Sequence, residues 1–87
     1  MADPQIINCP ADEWVLVAQN VTHGQVHRYK RGIDYLQTYR NTGNPAPPDN
    51  ESDGVIITTD SIEIRSTDPI DVYIRARQND GEVRVDV

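Results

Sequence analysis

Ile70-Asp71-Val72-Tyr73-Ile74-Arg75-Ala76-Arg77-Gln78-Asn79-Asp80-Gly81-Glu82-Val83-Arg84-Val85-Asp86-Val87 carries the clearest structural pattern in the chain. Ile70, Val72, Ile74 and Ala76 alternate with Asp71, Tyr73, Arg75 and Arg77, and beyond Asn79-Asp80-Gly81 the valines 83, 85 and 87 alternate with Glu82, Arg84 and Asp86. Successive strand side chains point to opposite faces, so each run reads as a strand with one apolar and one polar side. An Asp-Gly pair between two such runs is a strong hairpin signal. With Asp80-Gly81 as the loop, Ala76 faces Val85 and Ile74 faces Val87; with Asn79-Asp80, Ile74 faces Val85. Both registers keep the apolar residues together, and glycine's tolerance of a left-handed conformation favours the first. A hairpin over 70–87 is expected.

Upstream, Ser61 to Ser66 (SIEIRS) and Val55 to Thr59 (VIITT) read as strands that could pair across Asp60. Residues 41–54 (NTGNPAPPDNESDG) hold three of the six prolines and form a polar loop, longer than most connections in a compact domain. Ile33 to Arg40 is a strand with Ile33, Tyr35, Gln37 and Tyr39 on one face. Val21 to Tyr29 reads as a weak hairpin turning at His23-Gly24-Gln25. Trp14 to Ala18 is apolar on both faces, as a central strand is, with Trp14 in the core. Residues 1–12 carry two prolines and no sustained period, and read as an extended N-terminal arm. The expectation is one all-β domain over 13–87, a small antiparallel β-sandwich or barrel of about seven short strands.

Composition narrows the function. The chain has 87 residues, a net charge of −6 and 37% apolar residues without a phenylalanine. A domain this short buries only roughly 60% of its unfolded surface, so partners are an expected source of stability. Cys9 is alone, which excludes an internal disulfide. The acidic balance disfavours nucleic acid and anionic lipid. No apolar run approaches the roughly 18 residues of a membrane span, and Met1-Ala2-Asp3-Pro4 lacks the basic and apolar regions of a signal peptide. Synthesis in a cytoplasm is expected.

No constellation carries chemistry. Asp49-Asn50-Glu51-Ser52-Asp53-Gly54 mimics the start of a calcium loop, but the prolines before it forbid the incoming helix. His23 and His27, four residues apart, lack the further ligands that zinc needs. Cys9 has nothing nearby in sequence to activate it, and no serine sits in a nucleophile-elbow context. The reading is a non-enzymatic module with no metal and no cofactor. The side chains expected to meet partners are Ile6 and Ile7 of the arm and Arg28, Tyr29 and Arg31 of a basic patch at His27 to Arg31 (HRYKR). Pro47 and Pro48 of the loop join them, as do Tyr73, Arg75 and Arg77 of the outward strand face.

Three segments, Glu13 to Gly24 (EWVLVAQNVTHG), Tyr35 to Arg40 (YLQTYR) and Pro69 to Ile74 (PIDVYI), resemble small β-rich accessory proteins encoded among tailed-phage virion genes. The resemblance covers most of residues 13–87 and rests on strand and turn patterns. It implies a capsid decoration (cement) protein, or another small head or tail component. Such a protein is an oligomeric β-sandwich or barrel on the virion, made in the host cytoplasm, that braces the major capsid protein or another virion protein. The arm and the proline loop would reach onto that shell, and deletion of residues 2–10 would leave the fold intact. A carbohydrate-binding β-sandwich using Trp14, Tyr29, Tyr35 or Tyr39 and a small calcium-stabilised domain, which EDTA would destabilise, are the other classes that the residues allow.

Overall fold

Two strands of this chain are too long to stay straight. The computed structural model describes residues 5–87. In chain order the strands are β1 (Gln5–Cys9), β2 (Trp14–Arg28), β3 (Tyr35–Asn41), β4 (Val55–Ile56), β5 (Ser61–Ala76) and β6 (Gly81–Asp86). At about 3.3 Å per residue, β2 or β5 drawn out would span roughly 50 Å. The longest dimension of the molecule is 32 Å. Both strands therefore bend, and they bend together. The β2–β5 ladder runs from Trp14↔Arg75 to Val21↔Ile70, then resumes at His23↔Arg65 after Ser66–Pro69 bulge out of β5. Asn20 takes the left-handed conformation (φ 56°) at the bend. Bulges of this kind let one strand serve two layers.

The single antiparallel sheet, in the order β1-β6-β2-β5-β3-β4, thus folds over itself. One layer holds β1, β6 and the adjoining ends of β2 and β5; the other holds the remaining parts of β2 and β5 with β3 and β4. Cys9, Val26, Ile64, Val83 and Val85 from the first meet Val17, Ala18, Tyr35, Ile70, Val72, Ile74 and Ala76 from the second. Tyr35 lies across the closure. Its hydroxyl donates to the Lys30 carbonyl (2.7 Å) and accepts from the Glu82 N–H (3.2 Å). A Cβ on Gly81 would lie 2.5 Å from the Tyr35 ring, so only glycine fits there.

The all-β antiparallel architecture matches the reading of the sequence; its connections differ. Strands 61–66 and 70–76 are one strand, and so are 14–18 and 21–28, which leaves six strands in place of about seven. No turn forms at His23-Gly24-Gln25. Gly24 lies within β2, where a Cβ would come 2.6 Å from Val87. Of the run 55–59, Val55 and Ile56 form β4, and Ile57 then turns into the core.

The 70–87 hairpin does not form either. Its two runs are strands, but β6 pairs with β2 (Val26↔Val85) and with β1 (Cys9↔Gly81), not with β5. Both edges of Ile70–Ala76 are already taken, by β2 and β3. The link 77–80 carries the chain to the other layer instead, with Gln78 at φ 70° and the Asp80 carboxylate accepting the Ala11 N–H (2.8 Å).

Residues 5–12 are not a free arm. Gln5–Cys9 are the edge strand β1, Cys9 is fully buried, and the Asp12 N–H donates to the Ala76 carbonyl (2.7 Å). Removing residues 2–10 would strip a strand and a core side chain, so the expectation of a tolerated deletion is withdrawn. Residues 1–4 of that arm lie outside the described residues.

Candidate docking surfaces

The alternation of β5 turns Asp71, Tyr73 and Arg75 away from the core, onto a face shared with Trp14 and Leu16 of β2 and Leu36 and Thr38 of β3. The proline loop lies on this face. Pro47 is buried, the Trp14 indole N–H donates to the Asn50 carbonyl (2.7 Å), and Thr42 Oγ1 donates to Asp71 (2.9 Å). Three ion pairs hold the loop down: Asp49–Arg75 (2.8 Å), Glu51–Arg77 (3.0 Å) and Asp53–Arg40 (2.7 Å). The carboxylates that resembled a calcium loop are thus divided among three guanidinium groups. Tyr73 and Arg75, expected to face a partner, are each 7% exposed beneath this loop, with Arg77 at its margin. Trp14, expected in the core, is half-buried on the outer side.

The remaining expected contact residues are dispersed. Ile6 is exposed on the outer side of β1 beside Arg84, whereas Ile7 packs against the core. Arg28 and Arg31 share one carboxylate, Asp60 (3.0 and 3.5 Å), and Tyr29 and Pro48 are exposed. His27 pairs with Asp86 (3.2 Å) and His23 with Thr22 (2.9 Å). Among the described residues no group of three or more His, Cys, Asp or Glu side chains is placed to hold a metal ion. Burial pushes the Cys9 thiol up to about 11, so it is no thiolate near neutrality.

A second surface was not legible in the sequence. Where β5 turns from one layer to the other, β3 does not follow, and the space between the layers opens to solvent. The opening is a cavity of about 310 Å³, floored by Ile64, Ile70 and Val72 and flanked by Ile62 and Tyr39. Tyr39 is 65% exposed. Val55, 61% exposed, pairs with Gln37 and so shares its face two residues from Tyr39. Among the described residues no strand pairs with the far edge of Ser61–Arg65, which runs along the opening. The sequence did put Tyr35, Gln37 and Tyr39 on one face, but nothing in the alternation says where the opposing layer stops. No family model, curated protein or solved structure matches the chain.

Proposed function

We propose that this chain is a structural, non-catalytic protein of the tailed-phage virion, a capsid decoration (cement) protein that braces shell subunits through protein–protein contacts as a homo-oligomer. The observation that carries the reading is the open end of the folded sheet, where Tyr39 stands in water beside an apolar floor and an unpaired strand edge, with Val55 exposed next to the lining residue Gln37. Clustered apolar side chains and a free edge favour burial against another protein, and an extended segment added to that edge gains main-chain hydrogen bonds. The strand and turn patterns in 13–24, 35–40 and 69–74 add the resemblance to virion accessory proteins. On a symmetric shell many copies of a modest contact act together, so no single contact must be strong.

Mass spectrometry and electron microscopy of purified particles of the encoding phage test this, and absence of the protein from them rejects the virion role. Tyr39→Asp with Val55→Asp adds charge at exposed positions and should keep the far-ultraviolet circular dichroism while abolishing shell binding. Full binding by that variant would exclude the open end as the contact.

A further inference from the structure

A second groove lies on the opposite side of the sheet, between the proline loop and the start of β2. It is a cavity of about 350 Å³, lined by Glu13, Trp14, Ala46, Pro47, Asp49 and Tyr73. Its walls combine an indole, a phenol ring and two carboxylates. Leu16, on the same face and paired with Tyr73, is 40% exposed.

Two carboxylates, Glu13 and Asp49, line this groove, and since Asp49 already bonds Arg75 the lining stays acidic through Glu13. Each arginine of the chain has a carboxylate within 3.5 Å, so none remains to neutralise another acid. Glu13 has no ion pair or side-chain hydrogen bond among the described residues and is exposed. Asp49 meets Arg75 through Oδ1 alone, and its side chain is 79% exposed, which leaves Oδ2 for a second donor. The molecule already displays the chemistry of recognition once. The Arg75 guanidinium lies 5.9 Å from the Trp14 ring centroid while it bonds Asp49. A planar guanidinium joins aromatic stacking to a fork of donors, which an ammonium cannot do.

We propose that this groove takes an arginine side chain from an extended segment of a partner protein, with Glu13 and Asp49 as its acceptors, the half-buried Trp14 as its aromatic wall, the edge of the covered Tyr73 at its base and Leu16 as an apolar contact beside it. The inference rests on the docking reading only in taking the occupant to be protein.

The test is a nuclear magnetic resonance titration of the full chain with a capped glycine–serine peptide carrying one central arginine. At millimolar peptide the Trp14 indole N–H and the amides of Glu13, Ala46 and Asp49 should shift. The same peptide with citrulline, the neutral isostere, should leave them unmoved. Glu13→Gln should weaken binding about three-fold or more, the scale of an exposed charge pair. Asp86→Asn removes the same charge from β6, in the other layer of the sheet and away from both openings, and should have no effect. Equal shifts with citrulline, equal weakening by both variants, or no shift with arginine would each overturn the proposal. None of these outcomes bears on whether the protein is found in particles, so the two readings fail separately.

Discussion

The two faces of Ile70–Ala76 are buried alike but by different physics. All seven residues are buried. Toward the core, Ile70, Val72, Ile74 and Ala76 meet hydrocarbon from the opposite layer, an attraction without direction that scales with the area removed from water. Away from it, Asp71, Tyr73 and Arg75 are covered by a polar loop whose hold is a set of directed bonds and ion pairs. Its hydrogen bonding is less complete than its cover, since no protein group accepts from the buried Arg75 Nε. Alternation in a strand tells which face a residue occupies. It does not tell whether that face is wet.

The sharpest break of this comparison is Ile74→Ala. Ile74 is fully buried, and the loss should be about 2–5 kcal/mol in urea or thermal unfolding. A loss under about 1 kcal/mol would mean that the inner face is not what holds the layers.

The outer face should respond asymmetrically. Asp49→Ala leaves a buried guanidinium without its partner and should cost about 1–3 kcal/mol. Arg75→Met removes the buried charge itself and should be close to neutral, because an apolar side chain of similar length needs no acceptor. If Arg75→Met were the more damaging change, the ion pair and not the burial of the charge would be the controlling term.

Alkaline pH should act on the core between the two layers. The folded chain holds the Cys9 proton to about 11, whereas the ordinary thiol value is 9.0, so the unfolded chain ionises first. Between those values the folded state binds more protons, and stability falls as pH rises. Cys9→Ala should flatten part of that decline, and in the wild type a thiol reagent at pH 8 should react only on unfolding. A thiol labelled rapidly in the folded protein would contradict the burial of Cys9.

The smallest effect belongs to salt and to the outer face under the loop. About 1 M NaCl screens exposed pairs such as Arg77–Glu51 and Arg40–Asp53, each of which contributes under about 1 kcal/mol. Amide exchange in residues 42–54 should quicken while the unfolding midpoint barely moves. A midpoint shift as large as that of Ile74→Ala would make the two faces equivalent and break the contrast.

By itself the sequence determined that the chain is all-β and antiparallel, and which residues share a strand face, because a period of two follows from local backbone geometry wherever the strand ends up. It also made Ile74, Val83 and Val85 core residues, since their alternation has an apolar side to bury. Which strands pair with which came from long-range contacts alone. Asp80-Gly81 has the local chemistry of a tight hairpin, yet β6 lies elsewhere because β2 and β3 already fill both edges of β5. Residues 5–9 carry too little pattern to announce a strand, and become one because β6 offers them an edge. The candidate surfaces were the least legible for the same reason. Whether Tyr73 is covered and Tyr39 bare depends on where a distant loop and an opposing layer come to rest, which is a matter of contacts between segments far apart in the chain.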